Sequence, residues 1–140
     1  MTIIDGSNLI MGRASTYIAK RIMKGEKIDL VNADQMVITG SKPDILEKYR
    51  VRFYLAAKGN PHRGPKYSRM PDKMVKRAIR GMVPWKTSTG RAAFKNLKVH
   101  IGVPEEFANS KKEKIEKAEN KLQKGFMLVG EISKILGAQW

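Results

Sequence analysis

The residues that could do chemistry lie in one stretch. Between positions 58 and 100 stand twelve lysines and arginines, with Asp72 the only acid. A merely solvated surface mixes the two signs, as positions 101–140 do with seven basic and six acidic side chains. The segment 58–70 (KGNPHRGPKYSRM) is broken by Gly59, Pro61, Gly64 and Pro65 and cannot be a regular element. A loop of this kind carrying Arg63, Lys66 and Arg69 can follow an irregular phosphate path. The segment after it presents Lys73, Lys76, Arg77 and Arg80, and Lys86 and Arg91 follow. A guanidinium fork binds two phosphate oxygens at once, which makes arginine the better phosphate ligand. His62 and Tyr67 add rings that can stack on unpaired bases. The chemistry indicated is the binding of a polyanion, with nucleic acid the first candidate.

Other constellations carry less. Thr39-Gly40-Ser41-Lys42 has part of a phosphate loop but lacks the earlier glycine and the GK[ST] ending, so a strand-to-helix turn explains it better. Gly6 and Gly12 do not form a dinucleotide fingerprint. His62 and His100 are isolated from ligand-spaced partners, so no metal site is expected. Asp5, Asp29 and Asp34 fall near strand ends, but no base or nucleophile recurs at a matching interval, so no catalytic residues and no cofactor are assigned. The absence of cysteine excludes disulfides, thiolate catalysis and cysteine-bound zinc.

These side chains need elements to position them. Thr2 to Asp5 form a short first strand. Met11, Ala14, Ile18 and Ile22 repeat at three- and four-residue steps and predict a helix over 12–24, closed by Gly25. Residues 27–32 and 36–39 predict two further strands. Ser41 and Pro43 open a second helix whose inner face carries Ile45, Tyr49 and Phe53, with Arg50 and Arg52 pointing elsewhere. A helix from Pro71 to about Arg80 turns Met74, Val75, Ala78 and Ile79 inward and its lysines and arginines outward. Thr89 is the expected cap of a short helix, and residues 98–101 a final core strand. Residues 111–123 (KKEKIEKAENKLQ) predict an exposed helix, and 126–140 an apolar end that docks. The order strand, helix, strand, strand, helix indicates an α/β domain with parallel pairing.

The 140 residues fit one domain, and a net charge of +15 opposes compaction unless a polyanion compensates it. The division expected is one α/β domain over 1–104, with the basic region 58–98 inside it, and an extension over 105–140. The start of the chain lacks a secretory signal and no stretch is apolar enough to span a bilayer, so the chain reads as soluble and intracellular. Two other readings stay open. An RNA-acting α/β enzyme, such as a modification enzyme, would need a cofactor loop or catalytic set. A membrane-surface module would need a basic amphipathic helix with free apolar anchors.

One resemblance covers residues 1–107. Arg80-Gly81-Met82-Val83-Pro84, then Lys86 and Gly90-Arg91, closely resemble the central signature of the L-thirteen family of large-subunit ribosomal proteins. Gly64-Pro65, Arg69-Met70-Pro71, Gly12-Arg13-Ala14-Ser15, Val31-Asn32-Ala33, Ile38-Thr39-Gly40 and Gly102-Val103-Pro104 match in order. Leu128 to Ile132 and Lys134 to Gly137 resemble its archaeal branch. The resemblance implies a three-layer α/β/α fold around a four-stranded, mainly parallel sheet. It also implies contact with large-subunit (23S) ribosomal RNA, neighbouring ribosomal proteins as partners, a cytoplasmic place in the large subunit and a role in its assembly. Carried onto this chain, the RNA-facing region falls on Arg63, Lys66, Arg69, Lys73, Arg77, Arg80, Lys86 and Arg91. Trp85 stands where many relatives carry histidine and is a further stacking candidate.

Overall fold

The computed structural model describes residues 1–140. Strand β1 (Thr2–Asp5) lies parallel to β2 (Ile28–Val31), with Ile4 opposite Leu30. β2 is parallel in turn to β4 (Leu97–Val99), so the sheet order is β1-β2-β4. All four residues of the central strand are buried, as expected where helices cover a parallel sheet. Asp29 is the polar exception on that strand, and its carboxylate meets Nε2 of His100 at 3.1 Å.

Helix α1 (Met11–Met23) connects β1 to β2 and buries Ala14, Ser15, Ile18, Ala19 and Ile22. Gly25 follows at φ +92°, a left-handed turn that suits glycine and lets its N–H return to the Ile22 carbonyl. Helix α3 (Pro71–Gly81) packs on α1 and buries Met74, Val75 and Ile79. Helix α4 (Ser88–Lys95) packs on α1 as well. Its cap is Thr87 rather than the expected Thr89: the Thr87 hydroxyl accepts the Gly90 N–H at 3.1 Å and donates to the Pro84 carbonyl at 2.8 Å. Helix α2 (Lys42–Tyr54) is capped by Ser41 and buries only Ile45 fully, with Leu46, Tyr49 and Phe53 partly covered.

Two expectations need correction. The third strand, β3 (Val37–Thr39), does not extend the parallel sheet. It pairs antiparallel with β5 (Phe126–Leu128) in a separate two-stranded sheet, so a single four-stranded sheet is not formed. Asn32 adopts a left-handed conformation and Ala33–Gln35 form a 3-10 turn, which carries the chain away from the β2 plane. Val37 then bridges Ile10 on its other side.

The second correction concerns residues 111–123, which are not a helix. Glu113 bridges the free edge of β1, donating to the Ile3 carbonyl at 2.8 Å and accepting the Asp5 N–H at 3.0 Å. The Ala118 carbonyl accepts the Ile10 N–H, and the Asn120 N–H reaches the Asn8 carbonyl. Only a 3-10 turn, Glu116–Ala118, remains helical. An isolated helix of this length with a thin apolar stripe is marginal. Here the unpaired edge of β1 takes its backbone groups instead.

The core follows from this weaving. One buried cluster holds Ile4, Ile18, Leu30, Val75 and Leu97 together with Ile115, Met127, Val129, Ile132 and Leu136. The last three lie on or just beyond α5 (Val129–Ile135), which packs on α3 and on the 3-10 turn at Ala33–Gln35.

Candidate nucleic-acid interface

The loop between α2 and α3 and the outer face of α3 present the basic residues. Helix α3 splits its faces cleanly, because its apolar residues are committed to α1 and α5. The Arg77 guanidinium lies 3.7 Å from the centre of the Tyr67 ring and donates to the Lys66 carbonyl at 2.7 Å. Lys66 reaches back to the Pro61 carbonyl at 2.9 Å. Glycine- and proline-broken backbone is thus held by the side chains that give it charge.

Lys66, Tyr67, Lys73, Lys76, Arg77 and Arg80 line one open cleft of about 500 Å³. Tyr49, Arg52 and Phe53 enter it from α2, Phe94 from α4, and Met74 and Leu136 are part of its floor. No carboxylate lines it. Lys76 lies 5.7 Å from the Phe94 ring centre and Arg80 lies 5.4 Å from that of Trp85. Trp85 packs edge to face on Phe94 at 5.2 Å. Burial pushes the Tyr49 phenol above its ordinary pKa, opposed by the nearby Arg52 charge, so the ring stays a neutral hydroxyl donor at physiological pH.

The remaining candidates lie apart from the cleft. His62 and Arg63 sit at the exposed tip of the loop, where their backbone folds onto Asn60. Lys86 and Arg91 are exposed near the start of α4, with Arg91 Nε 3.4 Å from the Thr87 carbonyl. Arg69 turns inward over the C-terminal segment: its guanidinium donates to the Gly137 carbonyl at 3.2 Å and lies 5.3 Å from the Phe53 ring centre. The Ser133 hydroxyl donates to the Arg69 carbonyl. Arg69 therefore ties the basic loop to α5.

Sequence reasoning did not place Tyr49, Arg52, Phe53 and Phe94 in this cleft. For the three on α2 the available signal was their spacing, where Arg52 stands three residues from Tyr49 and one from Phe53. Arg21, a cation on α1 outside this stretch, is committed within the chain. It pairs with Glu113 at 2.8 Å and Glu26 at 2.7 Å, and the Glu113 bond holds its pKa above the ordinary arginine value.

At the C-terminal ends of the parallel strands, where α/β folds commonly place ligands, the polar groups satisfy one another. Asp5 accepts from the Ser7 hydroxyl at 2.7 Å and from the Asn32 amide at 2.9 Å. Burial pushes its carboxyl up, but these bonds outweigh burial and hold it below 3.8. Asp34 accepts the Gly102 N–H at 3.0 Å. This end of the sheet is a braced turn.

Fold and surface define a small, strongly basic α/β protein whose contiguous cationic and aromatic face suits a nucleic acid. Residues 1–106 match the family described as Ribosomal protein L13, and the chain belongs to that family. It is 42% identical over 141 residues to the large ribosomal subunit protein uL13 of Methanosphaera stadtmanae, covering 100% of this chain and 99% of the relative. The uL13 protein of Picrophilus torridus is 44% identical over 137 residues, covering 98% and 97%. That of Archaeoglobus fulgidus is 43% identical over 140 residues, covering 97% and 87%. All three organisms are archaea.

Proposed function

We propose that this chain is a structural constituent of the cytoplasmic large ribosomal subunit, held on its ribosomal RNA by the loop 58–70, the outer face of α3 and the start of α4. The observation that carries the reading is the segregation of charge: twelve of twenty-eight basic residues fall between 58 and 100 against one acid, in a chain of the L13 family. Phosphate contacts with counterion release supply the affinity. The shape of folded RNA supplies most of the selectivity, because the deep major groove of A-form RNA hides its base edges. The α/β core keeps the basic elements in fixed relation, so that several RNA segments meet one rigid body during assembly. An RNA-modifying enzyme is the weaker reading, since the relatives carry the name of a subunit protein.

Sedimentation of a native lysate through a sucrose gradient tests this, in salt high enough to strip loosely held basic proteins. The chain should travel with the large subunit in near-equal amount to a core subunit protein. Recovery at the top of the gradient would overturn a structural role.

A further inference from the structure

We infer that the cleft between α2, the 66–68 loop, α3 and α4 receives a single nucleotide extruded from the ribosomal RNA, its base among the aromatic rings and its flanking phosphates on the rim. The inference rests on the RNA-binding role above and gives that role a site.

Four observations carry it. The cleft, about 500 Å³, falls within the range that holds small organic ligands, roughly 300–1,000 Å³. Its aromatic rings come from three separate segments: Tyr49 and Phe53 from α2, Tyr67 from the loop, Phe94 from α4. All four are only partly buried, so the core does not consume them. A base offers two π-faces to such rings, and stacking of this kind is tolerant of base identity.

The charge is arranged as a polynucleotide needs. Cations stand on three of the four walls, Arg52 from α2, Lys66 from the loop, and Lys73, Lys76, Arg77 and Arg80 from α3, with no acid among the lining residues. An extruded nucleotide carries a phosphate on either side of its base, so cations on opposite walls are both used. A purely apolar partner segment would leave them without counter-charge. Finally, the site is set before binding. Arg77 is fixed over the Tyr67 ring at 3.7 Å and bonded to the Lys66 carbonyl, which holds guanidinium and phenol in place before a base arrives. Arginine planes and aromatic rings are the surfaces on which unpaired RNA bases stack.

The experiment uses native large subunits that contain the protein. Short-wave ultraviolet irradiation followed by mass spectrometry should give nucleotide adducts on Tyr49, Phe53, Tyr67 or Phe94. In parallel, purified Tyr67→Leu and Phe94→Leu proteins are titrated with large-subunit ribosomal RNA. Each should bind about ten-fold more weakly or worse, with an unchanged salt slope, because no cation has been removed. Adducts confined to residues outside the cleft, with wild-type affinity for Tyr67→Leu, would overturn the cleft while leaving the RNA-binding role intact. So would a cross-link from the cleft to a neighbouring protein. Absence of the chain from the subunit would instead remove the role itself. The irradiation uses the unaltered protein, so it decides the matter even if a variant fails to fold.

Discussion

On the proposed RNA-binding reading Arg77 does two jobs, and its replacement separates them. Its guanidinium donates to the Lys66 carbonyl at 2.7 Å and stacks on Tyr67 at 3.7 Å. A hydrogen bond from a charged donor contributes about 1.5–3 kcal/mol, and an exposed cation–π contact about 0.5–1 kcal/mol. The residue is half-exposed, so solvent competes, and the low end of the sum, about 2 kcal/mol, is the figure to use. Arg77→Ala should then raise the local opening of the loop about thirty-fold. Hydrogen exchange and limited proteolysis over residues 58–70 read that opening. The same variant removes one phosphate partner, so the slope of log K against log salt for ribosomal RNA should shallow by roughly 0.7–0.9. Arg77→Lys should keep the slope and still loosen the loop, because an ammonium has no planar face to stack. Lys73→Ala, at an exposed position on the same helix, should shallow the slope without loosening the loop. An Arg77→Ala protein with the wild-type slope would refute the placing of this guanidinium against phosphate. One with wild-type exchange rates would refute the brace.

Two further outcomes follow from the core. A Cβ on Gly90 would lie 2.1 Å from the Pro84 carbonyl oxygen and 2.7 Å from its carbon. Gly90→Ala should therefore cost about 1–3 kcal/mol or more in forced backbone movement, beyond the gain of about 1 kcal/mol from better helix propensity. Thermal denaturation should show a Tm lowered by several degrees, whereas Gly12→Ala, with open space at that position, should hold or raise it. Asp5→Asn should destabilise the protein at neutral pH and lose that effect in acid. The Asp5 carboxyl is held below 3.8 when folded, so its stabilisation is complete above the ordinary carboxylate range and disappears as pH falls through the folded value. Urea unfolding at neutral pH and over a series of falling acid pH values checks this; a difference that stays constant as the carboxyl protonates would contradict it.

Much of the molecule follows from local pattern. The stripe Ala14, Ile18, Ile22 marks the inner face of α1, and the split of α3 into Met74, Val75 and Ile79 against Lys73, Lys76, Arg77 and Arg80 marks both its sides. Periodicity of this kind reports which side of a helix meets the core, because burial acts on each residue through its own position on the helix. Charge is likewise additive along the chain, so the concentration of positive charge between 58 and 98 was visible before any coordinates. The C-terminal third was less legible. Glu113 to Glu119 alternate charge and apolar residues at helical spacing, yet the edge of β1 and the chain before α1 take their hydrogen bonds. Nothing local to that segment encodes a strand edge more than a hundred residues earlier.

By itself, then, the sequence determined the first four helices and the buried faces of α1 and α3, the strands β1 to β4, the concentration of positive charge in the middle of the chain and the family resemblance. Tertiary structure alone decided that β3 pairs with β5, that Arg21 serves Glu113 rather than a ligand, and that Arg69 holds the tail at Gly137. It also brought Tyr49, Arg52 and Phe53 together with Phe94 around one cleft. The physical reason is common to all four. Each depends on which distant group satisfies a backbone hydrogen bond, a charge or an exposed ring, and such a partner is chosen by proximity in the folded chain.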